Sequence, residues 1–488
     1  MFVLRKPTGG CPVEPIMLAV PAELNGMMPA LQALLDEVKT QVARGRTGGS
    51  VDYAAFERTI MERSREVERK AHEAALAALD VDLPRVLINK ILHLRVLRSE
   101  IGYLGLAGES RALRTLYRPA GERNAPVVDL VALRAGAIDG VWLPATAREM
   151  AFEVQQRTSR EAEASGRRLG RLPYSHASFE SVAHAVGELY VQQHQQIEQA
   201  LIESYEVPEE AVNVSVSLDR VSLPMEEPRK RPVGRPGKDA PKRPIDRAYR
   251  MAYCGTVTLH DADGEAIDTI RYGTMPGGDP QALCAGMAGD VVSLLAQRPD
   301  LTISLLCDGA KEMWNLLDAE FTKAPFDTRP VHRLIDFWHA IEKLAPAAKV
   351  MMGENEAKPL LARWKMRLRN ASSARATILA ELVASGKEDV QVGDVKPVHE
   401  AITYLTNNAE RMDYAAARRL GLPIGSGSVE ATCKSLVNVR MKRPGSRWKN
   451  RTGEHILHLR ALALSDRWDA AMDLVFKKPR VLIRAVAA

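Results

Sequence analysis

Between Val212 and Leu223 the chain reads VNVSVSLDRVSL, apolar and small polar residues alternating with a period of two, the pattern of an extended strand. Asp219 interrupts it. A carboxylate in mid-strand costs free energy unless it has a task, because the strand carries it away from water. The elements that follow narrow the fold further. Residues 249–259 and 266–275 read as two more strands, joined at Asp261-Ala262-Asp263-Gly264. That junction is a hairpin turn rather than a calcium loop, since the other EF-hand positions are missing. Residues 281–296 have helical spacing, and 301–307 (LTISLLC) form a short buried strand with Asp308-Gly309 at its end. Residues 311–321 and 334–344 are helical again. Strand, hairpin, helix, strand, helix is the order of an α/β domain, a mixed sheet flanked by helices.

The rest of the chain divides around this core. Residues 1–25 read as an irregular arm rich in Pro and Gly, and 26–210 as a mainly helical region for DNA binding or dimerisation with a small β element near 87–118. Its segment DYAAFERTIMERSREVERKAHEAALAAL alternates acids and bases at helical spacing, the mark of a solvated helix face. Phe179, Val182, Ala183, Val186, Leu189 and Tyr190 form an apolar stripe. The surrounding HASFESVAHAVGELY fits a helix-turn-helix reader or a plain helical hairpin equally well. The core is expected over 211–350, with a basic, proline-rich linker at 226–247. A helical insertion at 351–420, a second core segment at 421–470 and a tail at 471–488 complete the plan. A chain of 488 residues that is 46% hydrophobic can fill two to four such cores.

The second core segment holds the most concentrated signal, GLPIGSGSVEATCKSLVNVRMKRPGSRW. Val429, Cys433, Leu436, Val437 and Met441 recur at helical spacing, so a helix starts near Ser428 and carries Glu430 in its first turn. Lys434, Arg440, Lys442 and Arg443 share the helix with that acid, Pro444 and Gly445 end it, and Arg447, Trp448, Lys449 and Arg451 follow. Asp219 and Asp308 fall on neighbouring central strands in this order of elements, and the Glu430 helix can pack across the same end. Three carboxylates there repel one another and stay ionised together only with divalent cations among them. Oxygen ligands favour Mg2+ or Mn2+. Two such ions about 3.5–4 Å apart activate a water or a 3′-hydroxyl and steady the leaving oxygen at a phosphodiester. Singly, each acid has an ordinary reading: Asp219 a bulge residue, Asp308 an N-cap, Glu430 a partner of the helix dipole.

SLDRVSLPM, LLCDGAKEMWNLL, LIDFWHAIEKL and PIGSGSVEATCKSLVNVRMKRPGSRW resemble the motifs of bacterial insertion-sequence transposases of the ISKra family, DDE enzymes with an RNase H-like core. The resemblance covers roughly residues 211–468. It implies that Asp219, Asp308 and Glu430 are the catalytic metal ligands, two Mg2+ or Mn2+ per site, and that a helical insertion separates Asp308 from Glu430. DFWH is similar to a D-x-x-H signature of related transposases, so Asp336 and His339 are implied to touch the scissile strand or brace the site. The family often carries a cysteine-rich element near the first sheet, whereas YRPAGERNAP here has none.

The basic residues agree with DNA as partner. The net charge of +6 is modest, but the bases cluster after 227 and at 434–451. Arg231, Arg235 and Lys238 belong to a run that approximates an AT-hook and equally suits a flexible linker. Trp448 offers a stacking face for an unpaired base or caps the core, and Trp314 and Trp338 read as core. Five scattered cysteines without a CxxC pair support neither a zinc ribbon nor a disulfide framework, and no eighteen apolar residues run together. The expectation is a cytoplasmic, nucleoid-associated transposase, at least a dimer on DNA, that binds terminal inverted repeats, cuts, and joins 3′-hydroxyls to target DNA. A related nuclease that cuts without joining and a non-catalytic DNA-binding derivative are the rivals.

Overall fold

The structure is a computed structural model describing residues 2–5, 15–47, 50–226, 247–477 and 481–485. The chain forms two compact units, Met1–Leu189 with Met472–Ala488, and Tyr190–Ala471. Among the described residues no helix is long and apolar enough to cross a membrane.

In the first unit the charged segment forms the helix Tyr53–Ala77, started by Asp52, whose carboxylate accepts from the Ala55 amide at 2.9 Å. Strands Ile91–Gly105 and Gly108–Pro119 pair antiparallel along their length, flanked by Arg85–Ile88 and Val128–Asp129, and Ile483–Ala485 adds an outer strand beside Arg85–Ile88. Leu76 of the helix packs with Tyr103 and Ala112 of this sheet. HASFESVAHAVGELY lies in a single helix, His176–Gln192, with no turn inside it.

The second unit is built on a five-stranded sheet. Its strands are β1 Asn213–Glu226, β2 Arg247–His260, β3 Ala266–Thr274, β4 Thr302–Cys307 and β5 Val331–Ile335. They lie in the order β5-β4-β1-β2-β3, with β4 parallel to both β1 and β5 and the β1-β2-β3 meander antiparallel. This is the strand order of an RNase H-like fold. The hairpin turn holds as expected: Gly264 sits at φ +81°, where a side chain is disfavoured, and Asp261 Oδ1 accepts from the amides of Asp263 and Glu265 at 3.0 and 2.9 Å.

Helix α1 (Pro280–Gln297) leads to β4, α2 (Lys311–Phe321) joins β4 to β5, and α3 (Phe337–Asn370) leaves β5. Residues 334–344, expected to be one helix, divide into the end of β5 and the start of α3. A five-residue strand running straight into a helix is too short to show its own periodicity. α3 itself reverses at Gly353 (φ 79°, ψ 167°), and Lys387 Nζ caps the carbonyls of Val350 and Met351 just before the break, at 3.0 and 2.8 Å. Then come α4 (Ala374–Ala384), α5 (Pro397–Asn407) and α6 (Tyr414–Arg419). α7 (Gly427–Thr432) continues through π-type hydrogen bonding over Cys433–Asn438 to Val439–Met441, and α8 (Asn450–Leu464) follows.

Both faces of β1 are covered, which explains why its polar alternates are small. Val214, Val216 and Leu218 point into the main core, and Ser215 and Ser217 are buried on the opposite face. On that opposite face, further along, Val221, Leu223 and Met225 pack with Val429, Cys433, Leu436, Val437 and Met441 of α7 and its continuation. Asp219 is odd-numbered like them, so the pleat turns its side chain toward the α7 side.

Candidate functional site

The sheet register sets three acids in one row. Ser217 on β1 pairs with Leu306 on β4, and Leu306 pairs with Leu334 on β5. Two residues further on, the same row continues through Asp219, Asp308 and Asp336. In-register neighbours on parallel strands point to the same side, so these carboxylates line the carboxyl ends of three adjoining strands. The amide of Asp336 donates to the Cys307 carbonyl at 2.8 Å, which carries the ladder to the edge of the row. Crevices at the carboxyl ends of parallel strands are where open α/β sheets bind ligands.

Each aspartate is held differently. Asp219 accepts from the Arg220 amide at 2.6 Å and from the Cys433 thiol of the α7 continuation at 3.5 Å. Asp308 accepts from the Ala310 amide at 2.9 Å in the turn before α2, whose N-cap is Ala310 with no side-chain bond, so Asp308 is not the N-cap that the sequence suggested; its carbonyl receives the Trp314 indole N–H at 2.8 Å. Asp336 is fully buried. One of its oxygens caps α3 through the His339 amide at 2.8 Å and the other accepts from the Ser426 amide, tying the row to the loop that enters α7.

Glu430 closes the group. Among the described residues the one set of three His, Cys, Asp or Glu side chains poised for a cation is Asp336, His339 and Glu430, with a ligand atom from each inside a 4.8 Å span. His339 Nε2 is 3.9 Å from Glu430 Oε1. Burial pushes the Glu430 carboxyl above its ordinary range, the charge of Asp336 adds to this, His339 opposes it, and Glu342 and Asp219 raise it further. His339 Nδ1 is buried without a hydrogen-bond partner. Mutually repelling carboxylates with the His339 Nε2 turned toward Glu430 fit a divalent cation, which would relieve the repulsion. The all-oxygen pair Asp219 and Asp308 suits Mg2+, while an imidazole in the other set shifts preference toward Mn2+ or a later transition ion. The cation-ready set thus joins Glu430 to the two residues read as auxiliary, and Asp219 and Asp308 stand in the same row outside it.

Two further residues face this site. Glu342, one helical turn after His339 on α3, was legible only as an i,i+3 neighbour. Tyr404 of α5 had no signal in the sequence. Its hydroxyl is buried without a partner, its ring packs where a Cβ on Gly309 would come within 2.5 Å, and burial followed by the charges of Asp308 and Asp336 raises its pKa well above the usual range.

The basic segment separates into two kinds of residue. Lys434, Lys449 and Arg451 are exposed, and Lys442, Arg443 and Arg447 are half-buried. Arg440 is buried with its guanidinium 5.3 Å from the centre of the Trp448 ring. Trp448 donates its indole N–H to the Met441 carbonyl at 2.9 Å, and its backbone bonds to Pro224 and Glu226 at the end of β1. Both residues brace the base of the patch while the lysines present charge. Arg231, Arg235 and Lys238 lie outside the described residues. Trp314 is buried as expected, but Trp338 is not core: it is 49% exposed.

No protein-family model matches the chain, and no curated protein matches it. Among solved structures it is similar to a Drosophila P element transposase strand transfer complex, at 9% identity and a TM-score of 0.36, covering 69% of this chain and 96% of that one.

Proposed function

We propose that this chain is a DNA transposase of the DDE class, which binds the terminal inverted repeats of its element, cuts there and joins the freed ends to target DNA. The observation that carries the reading is the row Asp219, Asp308 and Asp336 at the ends of β1, β4 and β5, with Glu430 brought over it by α7. A structural or purely DNA-gripping protein has no use for a row of three aspartates with Glu430 beside its buried member Asp336, and a basic protein that needs such a row needs cations to reconcile it with a phosphate strand. The segments that resemble ISKra-family motifs favour that assignment within the class.

In this reading Asp219, Asp308 and Glu430 hold the ions, with Asp336 and His339 completing the set around Glu430. Divalent ions held there would supply Lewis-acid polarisation of the phosphate and lower the pKa of a bound water or 3′-hydroxyl. The chain's own residues do the rest. Asp336 fixes the entry of α7 through Ser426, so that Glu430 stays over the strand ends. Asp219, fastened by Arg220 and Cys433, keeps one orientation. Lys434, Lys449 and Arg451 offer phosphate contacts, and Lys442, Arg443 and Arg447 stand among them. In cutting, a water oxygen bonds to phosphorus, the P–O3′ bond breaks, and a 3′-hydroxyl and a 5′-phosphate result. In joining, that 3′-hydroxyl attacks a target phosphate and the target's own 3′-hydroxyl leaves. Two ends must meet, so at least a dimer acts on DNA.

Incubation of the intact chain with labelled DNA carrying the sequences that flank its gene, in Mg2+ or Mn2+, tests this. Cleavage with a free 3′-hydroxyl, then a joined product, is expected, and Asp308→Ala should lose both while still binding DNA. Cleavage without any joined product would reassign the chain to a nuclease of the same fold. Unchanged cleavage by Asp308→Ala would remove the carboxylate row from the chemistry.

A further inference from the structure

Trp338 lies between Asp336 and His339 in the chain. At the first turn of α3, successive side chains point about 100° apart, and Phe337 takes the inward direction, fully buried and edge-on to Tyr414. Trp338 is turned outward as a result. A large ring left half in water forfeits burial free energy that a core position would have supplied, and three features around it give that exposure a purpose. Its edge meets the loop into α7, where a Cβ on Gly425 would stand 3.5 Å from its Cδ1. Lys365 Nζ is 5.2 Å from its ring centre and the Arg369 guanidinium 5.4 Å. The third is its place beside the Asp336, His339 and Glu430 group.

Those two cations reach Trp338 only because α3 reverses. Twenty-seven residues of straight helix would separate positions 338 and 365 by about 40 Å. The break at Gly353 returns the second limb antiparallel to the first and sets Lys365 and Arg369 beside the start of the helix. An aromatic ring with a solvent-facing surface and two flanking cations is the combination that holds unpaired nucleic acid: bases stack on the ring and the cations meet the phosphates on either side. A duplex does not offer such a base, but a strand end does once its terminal pair is opened.

We propose that Trp338, with Lys365 and Arg369, is a stacking platform that holds an unpaired base of the DNA strand immediately beside the Asp336, His339 and Glu430 group. This rests on the DNA-processing reading above and adds where the strand end is gripped. Trp338 is a substrate-positioning residue and takes no part in the bond changes.

The test needs no catalysis. With EDTA present, the intact chain is titrated with a blunt DNA duplex and with the same duplex extended by a short single strand bearing 2-aminopurine. The extended duplex should bind at least about 5-fold more tightly, the low end of what stacking one base supplies, with quenching of the 2-aminopurine fluorescence. Trp338→Ala should abolish the preference and the quenching while leaving blunt-duplex affinity unchanged, and Trp338→Phe should keep most of both. Equal affinity of the intact chain for the two duplexes, or a preference that survives Trp338→Ala, overturns the proposal. So does equal weakening of both duplexes by Trp338→Ala, which would mean a general contact or a protein-facing surface. If the platform behaves as expected but the chain never cleaves, the enzymatic reading falls and the platform stands.

Discussion

The aspartate row and Glu430 reach the same site by opposite means. Asp219, Asp308 and Asp336 are placed by backbone register, and each spends part of its hydrogen-bonding capacity on nearby amides. Glu430 is placed by the packing of its helix and by the Asp336–Ser426 bond at the helix entry, with no hydrogen bond to its own carboxylate among the described residues. Its helix is held by the apolar stripe Val429, Cys433, Leu436, Val437 and Met441, the carboxylate itself is half exposed, and among the described residues no amide donates to it. In the proposed reading the row would be scaffold and ligand at once, whereas Glu430 would be ligand alone. π-type widening next to it, a feature common at functional sites, is the one irregularity in its helix.

Substitution separates the two most sharply. Glu430→Gln should lower cleavage at least about 1,000-fold, some 4 kcal/mol of barrier, with the melting temperature unchanged. Asp336→Asn should lower cleavage comparably and also destabilise the fold by about 1–3 kcal/mol, because a buried amide replaces an acceptor of two backbone N–H groups. Paired cleavage assays and thermal melts read both. A large melting loss in Glu430→Gln, or none in Asp336→Asn, would break the distinction.

The opposite end of the sheet offers a control in which pH rather than cation binding sets stability. His260 at the end of β2 is buried, its Nδ1–H donates to the Gly264 carbonyl at 3.1 Å, and its Nε2 accepts from the Ser215 hydroxyl at 2.7 Å. Burial depresses its pKa to about 4. The folded state therefore favours the neutral ring, so stability is full above about pH 6.5, the unfolded value, and falls as pH drops toward 4. The loss from this residue approaches about 3 kcal/mol, and His260→Gln should flatten that part of a pH series of chemical unfolding curves. An unchanged slope would dismiss His260 as its source.

Cations should act on the other end alone. Mn2+ at a hundredfold excess over its dissociation constant should stabilise the intact chain by about 2.7 kcal/mol, seen as a higher melting temperature. Glu430→Gln should lose that gain, and His260→Gln should retain it. Equal stabilisation of all three proteins would place the cation somewhere other than Glu430.

What could be read from the sequence follows the same division. Period-two alternation fixed the parity of Asp219 with Val221, Leu223 and Met225, and hence its face, because register is a local property. LTISLLC ends at Asp308 for the same reason. The helix of Glu430 was visible in its apolar stripe. What could not be read depends on contacts between distant segments: Asp336 as a buried member of the row requires β5, which is too short to announce itself, and Tyr404 arrives from α5 on no periodic signal at all. Trp338 reads as core from its helical spacing with Leu334, but Leu334 belongs to β5 and not to the helix of Trp338, so the two do not share a helix face. The likeness of LIDFWH to a transposase signature named Asp336 and His339 but left open whether they touch the strand or brace the site. The geometry makes Asp336 a brace and a member of the cation-ready set together.

The smallest expected effect concerns the reversal of α3, and it sharpens the contrast by acting on neither the row nor Glu430. Gly353 combines φ 79° with ψ 167°, a region open essentially to glycine alone. Nothing lies within 4 Å of where its Cβ would be, so the cost of Gly353→Ala is one of backbone conformation without a clash. That cost is about 1–2 kcal/mol, and Lys387, which caps the preceding carbonyls, resists straightening. Because the return limb carries Lys365 and Arg369 to Trp338, a loosened turn should weaken the preference for a single-stranded extension while the melting gain from Mn2+ persists. Loss of the Mn2+ gain along with the preference would mean that the turn also sets the acid group, and the separation between scaffold, ligand and strand grip would have to be redrawn.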